Sequence, residues 1–266
     1  MDAEELFNGE ESEKLVRYPD LKGKRIFITG GGSGIGAYFV TAFALQGAKV
    51  GFLSLNPEPA NALCDRLAEY AQNRPFYRAC DIRNISALKT VLDEYAVEVG
   101  TIEVLLNNAA RDDRACLQDL TEEQWDESIN INLKPYVFTA QHVVPDMENA
   151  GTGAIINISS NAPELGVAGF PAYIAAKAAI SGMTKSLAHE VGYKGIRVNS
   201  ILPGWCLTER QKRLWMTDEA VNHTLSRQAI KRMLTGTDLA NAALFLASNA
   251  SSMITGVNLN VDGGIS

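Results

Sequence analysis

The sequence has few of the residues that build metal centres and disulfide frameworks. Its 266 residues include four cysteines and three histidines. The cysteines form no CxxC pair and no Cys/His cluster. Scattered cysteines in a chain of this length are typical of reduced thiols, buried or at the surface. The sequence therefore predicts no metal site.

Long apolar runs and an excess of positive charge are also missing. No stretch approaches the roughly 18 apolar residues of a membrane-spanning helix. The N-terminus lacks the basic start and the apolar run of a signal peptide. The formal net charge is −7, and no basic stripe favours nucleic acid. We therefore expect a cytoplasmic protein that binds neither a membrane nor nucleic acid.

Most of the negative charge lies at the N-terminus. The first 20 residues contain seven acidic and two basic residues, so they contribute −5 to the net charge. This composition is typical of a solvated segment. We predict an acidic extension over residues 1–20 that is solvated or packed on a neighbouring subunit and has no catalytic role.

From residue 21 onward, short apolar runs alternate with longer helical stretches. The predicted strands are Arg25–Thr29, Lys49–Leu53, Phe76–Ala79, Val104–Asn107, Ala154–Ile158, Arg197–Ile201 and Asn258–Val261. The predicted helices are Ile35–Gln46, Pro59–Gln72, Ser86–Val99, Glu122–Met147, Ala172–Val191 and Asp238–Ala247. A run of βα units is typical of a parallel sheet covered on both faces. The sequence predicts one α/β domain over residues 21–266, with a seven-stranded, doubly wound parallel sheet of the Rossmann type.

One polar stretch separates the last two predicted strands. Residues 205–236 have helical character in parts and no strand signal. Their place between the sixth and seventh strands suits a segment that covers a site at the sheet edge. We predict a flexible lid at about 205–236.

The first strand runs into a glycine-rich turn, TGGGSGIG at 29–36, and then into a helix. Glycine lets the backbone turn sharply and approach a ligand closely. The following helix directs its N-terminus at the place where a pyrophosphate would lie. A glycine turn placed between a strand and a helix predicts a dinucleotide site.

The end of the second strand bears on the choice of dinucleotide. An acidic residue there binds the ribose hydroxyls of NAD, and a basic one accepts the 2′-phosphate of NADP. The segment at 53–56 reads LSLN and has neither charge. NAD is therefore slightly favoured, and NADP stays an alternative.

Three polar side chains form a candidate proton-handling centre. Tyr173 and Lys177 are four residues apart in a predicted helix, so they lie on one face. An ammonium close to a phenol favours the phenolate and lowers the tyrosine pKa. Ser160 follows a predicted strand at the carboxyl edge of the sheet, where its hydroxyl could hold the substrate oxygen.

Several motifs occur together along the chain. They are TGGGSGIG at 29–36, Asp81-Ile82 after the third strand, NNAA at 107–110, the Asn132 of INL, NISS at 157–160, the Tyr173/Lys177 pair and PGWCLT at 203–208. In these motifs the chain resembles a short-chain dehydrogenase/reductase over residues 21–266. The resemblance implies that Tyr173 is the acid or base, Lys177 lowers its pKa and Ser160 orients the substrate. It implies a water-linked proton relay for Asn132.

The resemblance also implies the cofactor contacts. Asp81 and Ile82 would contact the adenine, Asn108 the ribose on the adenosine side and Thr208 the nicotinamide amide. The implied set is Gly30, Ser33, Gly34, Ile35, Gly36, Ser54, Asp81, Ile82, Asn108, Ala109, Tyr173, Lys177, Pro203, Gly204 and Thr208. The sequence departs from the family pattern at Ala110, where NNAG is usual, and at Ser54, where NAD-dependent members have an acid.

Three segments are similar to bacterial aldose dehydrogenases that act on galactose or xylose. They are YPDLKGKRIFITGGGSGIGA, the DDR after NNAA, and PGWCLTERQKRLW. The similarity implies NAD(P)-dependent oxidation of an aldose at the anomeric carbon to an aldonolactone. Those enzymes often have an aromatic residue shortly after the catalytic serine. Here the segment at 161–164 reads NAPE, which indicates a reshaped sugar pocket.

Basic residues near the expected site suggest an anionic sugar. The candidate substrate ligands are Arg111, Arg114, Asn161 and Arg210. A guanidinium group matches a sulfonate, carboxylate or phosphate in shape and charge. A sulfonated or carboxylated aldose such as sulfoquinovose is therefore a hypothesis. The alternative is that these arginines are surface or intersubunit charges.

Two other functions are compatible with the sequence. One is a carbonyl reductase or secondary-alcohol dehydrogenase, for example on a 3-oxoacyl group or a keto-sugar acid. The other is a redox-sensing protein that binds NAD(P) as a signal, although the complete Ser160, Tyr173, Lys177 and Asn132 set argues for an enzyme. The resemblance also implies a homotetramer or dimer that packs through residues 122–147 and 172–191.

Overall fold

The computed structural model describes residues 13–266, and its centre is a seven-stranded parallel sheet. The strands are β1 Arg25–Thr29, β2 Lys49–Ser54, β3 Phe76–Ala79, β4 Val104–Asn107, β5 Gly153–Ile158, β6 Ile196–Pro203 and β7 Asn258–Val261. Their order is β3-β2-β1-β4-β5-β6-β7. The predicted doubly wound sheet is confirmed. The order reverses between β1 and β4, which is where such folds bind ligands.

Helices cover both faces of the sheet. They are α1 Gly34–Leu45, α2 Pro57–Tyr70, α3 Ile85–Glu98, α4 Glu122–Asn132, α5 Lys134–Ala150, α6 Pro171–Val191, α7 Glu209–Leu214, α8 Asp218–Arg227 and α9 Gly236–Ala247. Side chains of a strand point alternately to the two faces. Accordingly, Ile26 and Ile28 of β1 join the core beneath α1, α2 and α9, whereas Phe27 joins the core beneath α3, α5 and α6.

The helix predicted over 122–147 is divided in two, and that prediction is wrong in this respect. Leu133 has φ −128° and ψ −55°, so α4 ends at Asn132 and α5 begins at Lys134. Pro135 is the physical reason. Its ring would clash with the carbonyl group of residue 131 in a continuous helix, but it is tolerated in a first turn. The break places Asn132 at a helix end.

In the predicted N-terminal extension, residues 13–20 are mostly exposed, but some of them contact the rest of the chain. Leu15 is buried in the core. The Val16 amide donates to Asn241 Oδ1 of α9 at 2.9 Å, and Arg17 Nη1 donates to the Leu45 carbonyl of α1 at 2.6 Å. Leu15, Val16 and Arg17 therefore attach this part of the segment to its own chain, whereas a role outside catalysis stays a prediction. Residues 1–12 lie outside the described part.

The segment predicted as a lid contains two short helices. They are α7 and α8, and a parallel bridge joins Cys206 to Leu234 at its ends. Gln211 of α7 donates to Asp112 Oδ2 at 3.0 Å, so the segment lies over the loop that follows β4. Its flexibility stays a prediction. No helix within residues 13–266 is long and apolar enough to cross a membrane.

Candidate active site

The carboxyl ends of β1, β4, β5 and β6 meet at one edge of the sheet. The glycine turn leaves β1 there, and Asn108 follows β4. Ser160 follows β5, and Gly204 follows β6. Neighbouring parallel strands bring these loops together, so residues far apart in the chain form one site.

The glycine turn is a tight cradle. Gly30 has φ +70°, a conformation that favours glycine. A Cβ on Gly36 would lie 1.9 Å from the Gly30 carbonyl oxygen. Asn108 Nδ2 donates to that oxygen at 3.0 Å. Ser33 caps α1 without a side-chain hydrogen bond to the helix, and Ile35 packs against the core. This backbone, exposed at a helix N-terminus, fits the pyrophosphate of a dinucleotide.

Replacing Gly36 by alanine is expected to weaken cofactor binding at least tenfold and to lower the Tm. The added methyl group cannot fit beside the Gly30 carbonyl group, so the turn must open. Titration of NADH fluorescence and thermal unfolding measure both effects. Gly192→Ala is the matched control, since a Cβ at Gly192 meets nothing within 4 Å. Equal NADH affinity in the Gly36→Ala and wild-type proteins would contradict the cradle assignment.

The remaining predicted cofactor residues line the same edge. Ser54 ends β2 beside Gly32, and its Oγ lies 2.7 Å from the position of a Cβ built on Gly32. The Ala109 amide donates to Thr29 Oγ1 at 3.1 Å, which ties the loop after β4 to β1. Asp81 accepts from Arg83, which holds the pKa of that carboxyl below its usual range. The remaining residues have structural contacts as well: Ile82 packs on the core, Pro203 O accepts from the Asn161 amide, Gly204 lies against Asp262, and Thr208 caps α7.

Lys177 lies at the buried centre of the site. Its side chain is 1% exposed. Its Nζ donates to the Ile158 carbonyl at 2.8 Å and to the Tyr136 hydroxyl at 3.3 Å, and it lies 5.7 Å from the centre of the Tyr173 ring. Burial lowers the pKa of Lys177 to about 7, because an ammonium loses its hydration there. The charge of this lysine therefore responds to pH near neutrality.

Tyr136 is a site residue that the sequence analysis missed. It is buried on α5, and its hydroxyl donates to the same Ile158 carbonyl at 3.0 Å. Its ring centre lies 5.2 Å from Lys177 Nζ. Nothing in the sequence pattern distinguishes it from an ordinary core aromatic, because its partners lie on β5 and α6. Tyr136 thus helps to position the lysine.

The pKa of Tyr173 moves in the direction opposite to the sequence expectation. Burial raises it first, and the charge of Asp112 raises it further, whereas a hydrogen bond with Ser160 lowers it. The lysine does not reverse this shift in the structure, since its Nζ binds Ile158 and Tyr136 instead of the Tyr173 hydroxyl. The structure nevertheless brings Ser160, Tyr173 and Lys177 together, as predicted.

Asn132 holds the loop that follows β4. Its side chain is 1% exposed. Its Oδ1 accepts from the Arg111 amide at 2.8 Å, and its Nδ2 donates to the Arg111 carbonyl at 3.0 Å. This paired contact gives Asn132 a positioning role that the sequence did not indicate. Its role in a proton relay stays a prediction.

Three of the four predicted substrate ligands are bound to other residues of the chain. Arg111 pairs with Asp113 and, at 3.3 Å, with Glu127. Arg210 pairs with Asp112 at 3.2 Å. Asn161 is buried, and its Nδ2 donates to Asp262 Oδ2 at 3.1 Å. These contacts favour structural roles for the three, because their polar atoms already have partners.

The fourth candidate, Arg114, has a different environment. Its guanidinium carbon lies 3.8 Å from the ring centre of Trp215 and 5.3 Å from that of Phe170. The Phe170 ring centre lies 5.3 Å from that of Tyr173. Arg114 is therefore two ring contacts away from Tyr173, the predicted acid or base.

Known proteins are similar to this chain over a range that includes the whole candidate site. A family profile described as Enoyl-(Acyl carrier protein) reductase matches residues 30–266. The chain is 47% identical to the probable galactose dehydrogenase GalD of Rhizobium meliloti (strain 1021), over 94% of this chain and 97% of that protein. It is 43% identical to D-xylose 1-dehydrogenase of Caulobacter vibrioides (strain NA1000 / CB15N), over 93% of this chain and 97% of that protein.

A solved structure has the same fold. It is the crystal structure of a 3-oxoacyl-[acyl-carrier protein] reductase with bound NAD from Brucella melitensis. The TM-score is 0.86 at 29% identity, and the match covers 96% of this chain and 95% of that chain. The likeness extends from the glycine turn to the C-terminal strand.

Proposed function

The chain belongs to the short-chain dehydrogenase/reductase family of NAD(P)-dependent oxidoreductases, and on that premise we propose that it oxidises an aldose at the anomeric carbon to an aldonolactone. The similarity to a galactose and a xylose dehydrogenase over more than nine-tenths of the chain carries this proposal. The arrangement of Ser160, Tyr173 and Lys177 at the sheet edge supports it.

Each side chain has a part in the proposed reaction. Tyr173, as phenolate, accepts the proton of the anomeric hydroxyl, and Ser160 Oγ holds the same oxygen. Lys177 in its ammonium form favours the phenolate, and Ile158 O and Tyr136 OH hold its Nζ in place. The glycine cradle would hold the pyrophosphate of the dinucleotide, whose nicotinamide would supply the hydride acceptor for C1. Loss of the hydride and the proton converts the hemiacetal to the lactone.

A panel of aldoses with NAD and NADP tests this function. The absorbance of the reduced nicotinamide measures the rate, and identification of the lactone or its aldonate establishes the position of oxidation. The rival function is reduction of a 3-oxoacyl thioester. The solved Brucella structure with the same fold is named as a reductase of this kind. A higher kcat/KM for a 3-oxoacyl thioester than for every aldose would reject the proposal. Cofactor binding without any turnover would favour a redox sensor.

The choice of cofactor rests on Ser54. We propose NAD as the preferred cofactor, because Ser54 has no charge to attract the 2′-phosphate of NADP. Ser54→Asp is expected to raise the ratio of kcat/KM for NAD to that for NADP about tenfold, since a carboxylate binds the ribose hydroxyls and repels the phosphate. Ser54→Arg is the matched variant and is expected to lower the ratio. The same ratio in both variants would show that Ser54 does not face the ribose.

Two finer parts of the proposal concern the substrate and the assembly. An anionic aldose such as sulfoquinovose is proposed from Arg114, the predicted arginine that pairs with no carboxylate within residues 13–266. A homotetramer or dimer is proposed from the family resemblance, with exposed apolar side chains such as Trp125 and Val137 on α4 and α5 as contacts. Sedimentation velocity measures the assembly. A monomer at micromolar concentration would reject it.

A further inference from the structure

Arg114 is held by two aromatic rings at the edge of the site. Trp215 follows α7 in the segment over the site, and Phe170 precedes α6. Contact with an aromatic face orients a guanidinium group and leaves the N–H groups in its plane available as donors. We name the set of Arg114, Phe170 and Trp215 the arginine clamp. It combines a fixed positive charge with unused donors.

The clamp differs from the neighbouring arginines in its charge balance. Arg111 and Arg210 each bind a carboxylate. Arg114 forms no ion pair and no hydrogen bond with the residues that the structure describes, and it is exposed to solvent. The acids of the same loop, Asp112 and Asp113, are bound to the other two arginines. Within residues 13–266, the clamp is therefore the uncompensated positive charge of this loop.

The clamp lies beside the proposed reaction centre. Phe170 is buried, and its ring centre lies 5.3 Å from the Arg114 guanidinium carbon and 5.3 Å from the Tyr173 ring centre. Asn132 binds the Arg111 backbone on both sides, which places the loop beside the site. A sugar whose anomeric hydroxyl meets Tyr173 would extend its far end along Phe170. A pyranose is small enough for that end to meet the guanidinium group.

We propose that the arginine clamp binds an acidic group on the sugar, so that the substrate is an aldose with a carboxylate or sulfonate at the carbon farthest from C1. This inference rests on the proposed aldose oxidation and names its substrate class. Arg114 would donate two parallel N–H hydrogen bonds to the anion, which is the geometry that guanidinium groups favour. Trp215 would join the bound anion to the segment of residues 205–236.

Paired sugars provide the test. The rates of the wild-type enzyme with D-galacturonate and D-glucuronate are compared with those for D-galactose and D-glucose, and sulfoquinovose is compared with D-glucose. We expect kcat/KM to be at least tenfold higher for the charged member of a pair. Arg114→Met is expected to lower the ratio of charged to neutral kcat/KM by about 10- to 100-fold, the value of one or two charge-assisted hydrogen bonds. Arg114→Lys is expected to retain part of the preference for the charged sugar.

Two controls separate binding from folding and from bulk charge. Arg213→Met removes a positive charge from exposed α7 and is expected to change the ratio by less than about twofold. Calorimetric titration of galacturonate and galactose into the Tyr173→Phe protein with NADH measures affinity without turnover. Circular dichroism and Tm identify a variant that does not fold. If Arg114→Met does not fold, the Arg114→Lys ratio and the calorimetry of the Tyr173→Phe protein decide.

The outcomes distinguish the two proposals. If no aldose, neutral or charged, is oxidised, the proposed function fails. If neutral aldoses are oxidised as well as their charged counterparts, or if Arg114→Met leaves the ratio unchanged, the clamp proposal fails and aldose oxidation stands. A charged preference that Arg114→Met removes and Arg213→Met retains supports the clamp.

Discussion

Replacing Tyr173 by phenylalanine is expected to lower kcat/KM for aldose oxidation by about 10²–10⁴-fold, the range that a positioned acid or base contributes. Removal of the hydroxyl leaves no group to accept the proton of the anomeric oxygen, while Ser160 and the glycine cradle are unchanged. NADH affinity is therefore expected to remain within about threefold of the wild-type value. Stopped-flow assays and NADH fluorescence measure the two quantities.

Tyr193→Phe is the matched control for this substitution. Tyr193 is 82% exposed and lies beyond the far end of α6, so loss of its hydroxyl is expected to have no effect on turnover. Activity of the Tyr173→Phe protein close to that of wild type, with the cofactor bound, would exclude Tyr173 as the proton acceptor. It would direct attention to Asp112, the carboxylate whose charge acts on that tyrosine.

Replacing Lys177 by methionine is expected to lower kcat by about 10²-fold or more. Without the ammonium, the phenolate of Tyr173 loses the positive charge nearest to its ring, and its pKa is already raised by burial. The effect on kcat is expected to be smaller at high pH, where the wild-type lysine also loses its charge because its pKa is about 7. Lys185→Met, at an exposed position of α6, is the control. A uniform loss at all pH values would indicate a structural role.

The same substitution has a pH-dependent effect on stability. The pKa of Lys177 is about 7 in the folded protein, whereas the ordinary pKa of a lysine, expected in the unfolded chain, is 10.5. Between these values the unfolded chain binds a proton that the folded chain does not, so wild-type stability rises with pH by up to about 1.4 kcal/mol per unit. The Lys177→Met protein lacks this contribution. Below pH 7 both the folded and the unfolded wild-type protein bind the proton. The free energy of unfolding is then lowered by the full cost of burying the ammonium group.

Urea unfolding at pH 7 and pH 9 measures this effect. The difference in unfolding free energy between wild type and Lys177→Met is expected to shift in favour of wild type as the pH rises. The Lys185→Met protein is expected to follow the wild-type pH dependence. A parallel dependence in wild type and Lys177→Met would mean that the buried lysine keeps its ordinary pKa.

The parts of the fold that depend on local pattern could be predicted from the sequence. The seven strands and their parallel order follow from apolar runs that alternate with helices. Tyr173 and Lys177 share a helix face because four residues make about one helical turn. The glycines at 29–36 predict a tight turn by themselves. The structure agrees, because a side chain at Gly36 would overlap the Gly30 carbonyl group.

Other features depend on which elements meet in space. Pro135 divides a helix whose polar and apolar pattern is continuous. Leu15 is an apolar residue in an acidic segment, and only its contact with the core explains its burial. Tyr136 contacts Lys177 from another helix. A linear pattern does not specify such distances, because each depends on the packing of separate elements.

The sequence by itself determined the parallel sheet, the glycine cradle and the Ser160, Tyr173 and Lys177 centre. Each of these follows from residues that are close in the chain or from the order of strands. Only the tertiary structure decided which of the loop's arginines pair with a carboxylate and how burial shifts the pKa values of the lysine and the tyrosine. Charge pairing and desolvation depend on distances through space, and those distances exist only after the chain has folded.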